Sequence, residues 1–317
     1  VIDFRYHLVS LIAVFLAVAL GIVIGTTALN EPIQADIEGQ VADLEQDKRS
    51  LEDRTQELQT QLDTAEGFQE AVAPALVGGA LAGRSVLLVA ADEKVAPETV
   101  ESVTAMIQQA GGSVSGVLRL RAEYSDPSTS TSLQNYVNGS GRPAGVELPE
   151  DGDVGAQVGS LLSQVLMTPP GGPAPDTAAI SSVVSGLSSL DVLRQESSSV
   201  SPADYAVVLT SGEAEAEGED AESRNAALVD LVRALDGAGS GAVVAGDGAS
   251  AGENGLVGVV RADPALAAAV STVDNIGTSV GRISTVLALG REAAGTSGKY
   301  GTGEDTQPVP PVPAAAP

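Results

Sequence analysis

The fold turns on two short runs, Ser85-Val-Leu-Leu-Val-Ala90 and Tyr205-Ala-Val-Val-Leu-Thr210. Each is apolar at nearly every position instead of alternating, which marks a strand buried on both faces of a parallel sheet. Helical and strand patterns alternate around them. A helix is expected over 97–110, closed by Gly111-Gly112, and a second strand over 113–120. Helices over 154–167 and 177–195 flank a Pro/Gly-rich break at 169–175. After the second run come a helix over 223–236, a strand over 242–245, a short helix over 264–269, a strand over 271–273 and a last helix over 278–291. This order predicts an α/β domain over 83–295: a mostly parallel sheet with helices on both faces, Rossmann-like or flavodoxin-like. Residues 296–317 are rich in Gly and Pro and read as an extension outside the fold.

Upstream, residues 8–29 carry no charge and are long enough, at about 1.5 Å per residue, to cross a hydrocarbon core of roughly 30 Å. They predict a transmembrane helix. The rival is a cleavable signal peptide, whose apolar core is usually only about 7–15 residues. Asp3, Arg5 and His7 precede the run; Glu31, Asp36 and Glu38 follow, with no base until Lys48. The positive-inside tendency then makes 1–7 a cytoplasmic N-terminus of a single-pass inner-membrane protein and sends the bulk of the chain outward. Ala17, Gly21 and Gly25 share one face at four-residue spacing, a pattern that lets two membrane helices approach closely.

Between anchor and domain, residues 31–72 read as a coiled-coil stalk. Ile37, Leu44, Leu51 and Leu58 recur every seven residues, with Val41 and Leu62 on the companion seam, where Lys48 and Thr55 interrupt it. Residues 31–82 hold 12 acids and 3 bases, so flanking charge gives a parallel self-pair no attraction. Three readings fit: a homodimer enforced by the membrane helices, a heteromer with a less acidic coiled coil, or a stripe packed on the chain's own domain.

Composition excludes much chemistry. The formal charge is −26, and the densest basic spot is Lys48-Arg49, so nucleic acid is not expected as a partner. There is no cysteine, one histidine (His7) and two methionines (Met106 and Met167), which removes disulfides, thiolate sites and His-based triads from the exported part. The strand-end positions where open α/β sheets bind ligands offer Asp92, Ser211-Gly212, Asp247 and Asp274. Three carboxylates meeting in one crevice would hold a metal or share a proton; the plainer reading is helix caps and turns. The glycine-rich pieces lack nucleotide-binding spacing. No enzyme and no cofactor is expected, and the acidic run 213–222 reads as a solvated loop.

The opening Ile2-Asp-Phe-Arg-Tyr-His-Leu-Val-Ser-Leu, the apolar run after it, the acidic heptads and the late Ser271-Thr-Val-Asp-Asn275, with Gly281-Arg282 and Leu287-Ala-Leu289 before a Gly- and Tyr-containing end, resemble the actinobacterial family of mycobacterial copper transport protein B. The resemblance implies an envelope protein with a role in copper transport or homeostasis. Corynebacterial relatives imply one in cell separation, beside a membrane partner and a peptidoglycan hydrolase. The residues test these roles unevenly. Three Phe, five Tyr and no Trp are too few for the aromatic girdles of an outer-membrane barrel. Copper prefers thiolate, thioether or imidazole, of which the exported part has two isolated methionines. An anchored scaffold that holds a partner through its stalk fits the residues best.

Overall fold

The computed structural model describes residues 4–139, 141–149, 152–212 and 219–312, with the side chains of 26–38 and 219–220 outside the description. The first helix, α1 (Phe4–Val77), runs through the anchor and stalk segments without interruption. It is followed by β1 (Ser85–Ala90), α2 (Pro97–Gln109), β2 (Ser113–Leu120), α3 (Ser130–Asn138), α4 (Val154–Leu166), α5 (Thr177–Ser189), β3 (Leu193–Gln195) and β4 (Tyr205–Thr210). Then come α6 (Glu219–Ala238), β5 (Ala242–Gly246), α7 (Leu256–Ala262), α8 (Pro264–Ala269), β6 (Ser271–Val273), α9 (Ser279–Glu292) and β7 (Lys299–Tyr300).

The strands form one seven-stranded sheet in the order β3-β2-β1-β4-β5-β6-β7. Every neighbouring pair is parallel except β2 with β3. The chain therefore builds outward from β1 on one side and from β4 on the other, and the switch point lies between these two strands. This is the order 3-2-1-4-5-6 of doubly wound dinucleotide folds, with its third strand reversed, and not the flavodoxin order. Alternate strand residues feed two cores. Leu87, Val89, Ala206, Val208 and Val244 point to the face covered by α3 to α7. Val86, Leu88, Val207, Leu209 and Val243 point to the face covered by α2, α9 and the end of α1.

Helix starts follow capping chemistry. Asp153, Asp176, Asp263 and Thr278 each accept a backbone N–H in the first turn of α4, α5, α8 and α9, and Pro97 opens α2 at a position that needs no donor. The expected helix over 177–195 stops at Ser189. Asp191 takes a left-handed conformation (φ 61°), and the next residues turn back as β3, an antiparallel edge strand on β2. The first half of β2 is covered by an irregular segment instead: Ser201 N donates to Ser115 O and Glu196 N to Val117 O. Gly116 sits where a Cβ would press on Val200, which explains a glycine inside a strand.

Two boundaries differ from expectation. The chain divides into compact units Val1–Ala65 and Glu66–Pro317, so the second begins within α1 and not at Gly83, because Ala73, Val77 and Leu81 are buried in the domain's core. At the other end the segment expected to lie outside the fold contributes β7. Tyr300 is buried, Gly301 N donates to Gln307 O, Gln307 N donates to Lys299 O, and Val309 packs on the core. Residues 313–317 of that segment, and 213–218 of the acidic run, lie outside the described residues.

Candidate functional site

The switch point opens a cavity of about 150 Å³ at the carboxyl ends of β1, β2 and β4. Asp92, directly after β1, lines it, but its lone pairs are taken. Its Oδ1 accepts the N–H of Lys94 (2.8 Å) and Val95 (3.1 Å); its Oδ2 accepts the Thr210 hydroxyl (3.2 Å) and the Ser211 N–H (3.1 Å). Asp247, after β5, is held alongside by the same turn: its Oδ2 accepts the Ser211 hydroxyl (2.7 Å) and its Oδ1 accepts Gly212 N (3.0 Å) and Ser250 N (2.9 Å). Burial pushes the Asp247 carboxyl up, yet these bonds outweigh it and hold the group below its ordinary range. Both carboxylates are thus turn-stitching acceptors at the ends of their strands.

Asp274 is engaged separately. Its Oδ2 accepts Arg261 Nη1 (2.8 Å) and Gly303 N (3.0 Å), and its Oδ1 accepts Thr302 N (2.7 Å). Arg261, on α7, also donates to Thr272 Oγ1 and to the Tyr300 carbonyl. Burial raises the Asp274 carboxyl, but Thr302, Arg261 and Gly303 together hold it below the usual range. The pair is almost solvent-free, so Asp274 locks the C-terminal segment against β6. The three-carboxylate crevice is corrected accordingly: Ser211 joins Asp92 to Asp247, Asp274 serves Arg261, and no group of three metal-capable side chains occurs among the described residues.

The strand-end positions named from the sequence, Asp92, Ser211-Gly212, Asp247 and Asp274, leave out the cations found here. Arg119, 4 % exposed near the end of β2, donates to the carbonyls of Asp92 and Val95 and pairs with Glu196 at 2.6 Å. Its hydrogen bond holds the Glu196 carboxyl below the ordinary range against partial burial. Arg121, Lys94 and Arg224 line the cavity itself. The signal was present: Arg119 and Arg121 occupy the last strand turn, where the ligand rule already pointed.

At the opposite end of the sheet, Asp236 on α6 and Glu292 on α9 line a second cavity, of about 600 Å³. Asp236 accepts the Ala242 N–H and Glu292 the Ser271 N–H, at the starts of β5 and β6. Here burial dominates. It raises Asp236, and it pushes Glu292 up to about 7, with the nearby Asp236 charge adding to the rise.

In the first unit, Phe4–Gly25 is long and apolar enough to cross a membrane, and Ala17, Gly21 and Gly25 lie on it. The positions where Gly21 and Gly25 would carry a Cβ meet no atom within 4 Å. Along the stalk, Leu44 is 70 % and Leu51 66 % exposed, with Val41, Leu58 and Leu62 also open to solvent; the side chain of Ile37 lies outside the described residues. Lys48 pairs with Glu52 (3.5 Å) and Arg49 with Glu45 (3.3 Å), so two of the stalk's three bases answer acids of their own helix. The two methionines are core residues on opposite faces of the sheet, Met106 on the α2 side and Met167 on the α4 side.

The family model described as "Copper transport outer membrane protein, MctB" matches residues 1–311. The proteins named Copper transporter MctB from Mycobacterium bovis and Mycobacterium tuberculosis are 32 % identical over 313 residues, covering 97 % of this chain and 98 % of theirs. That of Mycobacterium leprae is 31 % identical over 310 residues, 95 % of this chain and 96 % of its own. Of the residues that carried the resemblance, Arg282 bridges Glu66 and Glu70 at 3.6 Å, and Tyr300 of Gly298-Lys-Tyr-Gly301 pairs with β6 at the edge of the sheet. With a match over nearly its whole length, the chain belongs to the MctB family of copper transport proteins.

Proposed function

We propose that the chain is a single-pass envelope scaffold, not an enzyme, that serves copper homeostasis by holding a partner through its stalk, with its N-terminus cytoplasmic and its α/β domain exported. One observation carries the reading: the heptad seam of Val41, Leu44, Leu51, Leu58 and Leu62 is exposed along a helix that continues from an apolar span. Two chains joined by close packing at Ala17, Gly21 and Gly25, or one chain paired with a less acidic coiled coil, would bury it. A holding role for the domain is consistent with crevice carboxylates that are tied up in their own turns. The corynebacterial link to cell separation fits the same architecture, with a membrane partner or a peptidoglycan hydrolase as the protein held.

The family name favours a second reading, direct handling of copper as cargo. The donor set does not fit a tight site: His7 lies at the start of the anchor, cysteine is absent, and both methionines are buried apart from each other. The described strands do not suit a membrane barrel either, being at most eight residues long and largely buried. Copper titration of the full chain in detergent micelles separates the readings. Binding at micromolar affinity or tighter establishes the cargo role; weak, unsaturable uptake leaves the scaffold. For the scaffold itself, Leu44→Asp with Leu51→Asp is expected to abolish self-association and partner capture, and unchanged behaviour reduces the seam to a bare stripe.

A further inference from the structure

The switch-point carboxylates have their acceptors filled, whereas a guanidinium beside them has an unfilled donor. Lys94, Arg121 and Arg224 reach the cavity from three separate segments, over a floor that includes Leu228 and Leu256. Arg121 stands among acids at the rim, with Nη1 3.2 Å from Glu93 and Nε 3.0 Å from Asp191, yet its Nε is buried without a hydrogen bond among the described residues. Arg224 is held loosely, Nη2 lying 3.6 Å from Asp126, and its Nε is buried without a hydrogen-bond acceptor among the described residues. Gly212, also on the cavity wall, turns with φ 73°, the left-handed conformation that favours glycine.

Size and chemistry narrow the occupant. At about 150 Å³ the cavity is well below the roughly 300–1,000 Å³ of pockets for drug-sized ligands, so it holds one small group and not a nucleotide. A cation entering it would find the lone pairs of Asp92 already committed and Glu93 drawn to Arg121; an anion would find the unpartnered Nε groups of Arg121 and Arg224. The place is also where open α/β sheets bind ligands. We propose that this crevice binds a single small oxyanion, a phosphate or carboxylate group, through Arg224 and Arg121 with Lys94 at the mouth. Paired guanidiniums suit that geometry. The inference is independent of the stalk.

Calorimetry on the full chain in detergent micelles tests it, with inorganic phosphate and acetate as probes in a low-salt chloride buffer. Saturable one-site binding of at least one probe is expected, weakened at least about tenfold by Arg224→Gln and by Lys94→Gln and unchanged by Arg233→Ala, an exposed cation elsewhere on α6. Preference for phosphate or for acetate then assigns the source of the group. If Arg224→Gln fails to give a normal melting transition, Lys94→Gln against Arg233→Ala makes the same comparison. Absence of saturable binding of either probe, or equal affinity in the crevice and control variants, overturns the proposal.

Discussion

One helix, α1, puts the same apolar chemistry to opposite uses. Leu44 and Leu51 leave most of their surface in solvent, whereas Ala73 and Val77 at the end of the helix are buried to within 1 %. The difference lies in what each segment meets. Ala73 and Val77 have the sheet face of Val86, Leu88 and Val207 to pack on, and Arg282 ties Glu66 and Glu70 to α9. Leu44, Leu51, Leu58 and Leu62 lie exposed on the helix surface. Each leucine left open forgoes about 2 kcal/mol of burial, a sizeable driving force for association when several lie in one stripe.

The sharpest way to break this contrast is to place a charge at each end. Val77→Asp buries a carboxylate with no partner and is expected to destabilise the domain by about 4 kcal/mol or more in denaturant unfolding. Leu51→Asp is expected to shift the same transition by less than about 0.5 kcal/mol. Comparable losses would place the stalk leucines in the domain's own core. Next in size is Asp274→Asn, which leaves Arg261 without its counter-charge and is expected to cost about 3 kcal/mol, with loss of protection at Tyr300 and Thr302 in hydrogen exchange.

The two ends of the sheet give a second contrast, readable by pH. Asp247 and Asp274 are held below their ordinary 3.8, so the stability they lend is present above that value and lost as pH falls through their folded values. Glu292 is raised from 4.5 to about 7, so its contribution is full below 4.5 and is lost as pH rises through about 7. Glu292→Gln is therefore expected to remove roughly 2 kcal/mol of that alkaline decline after allowance for solvent screening, seen as a flatter melting temperature from pH 5 to 8. The smallest effect belongs to Lys48→Ala. Its pair with Glu52 is exposed on both sides, so helicity of the stalk should change by less than about 0.5 kcal/mol.

Much of the sheet was legible because its central strands are buried on both faces and read as unbroken apolar runs; β1, β2 and β4 fall on the expected residues. What escaped depended on distant partners. β3 and β7 are three and two residues long, and each exists through pairing with one neighbour, β3 with β2 and β7 with β6. α3 shows only Leu133 and Val137 as a buried pair, too brief for a period to emerge from Ser and Thr. The crevice aspartates were placed correctly at strand ends, but whether an acid stitches a turn or faces a ligand is decided by backbone N–H groups from other strands. Ser211, more than a hundred residues from Asp92, is the clearest instance.

The proposed interface is the exposed seam of Leu44, Leu51 and Leu58. Because the chain has no cysteine, a single introduced thiol reports one position. Leu51→Cys and Thr60→Cys, on opposite sides of the stalk helix by its 3.6-residue period, are each to be labelled with a photo-crosslinker in the intact native envelope and irradiated. The account predicts a discrete covalent adduct from position 51, none from position 60, and loss of the first when Leu44→Asp is added. Equal adducts from both positions, or none from either, would contradict it.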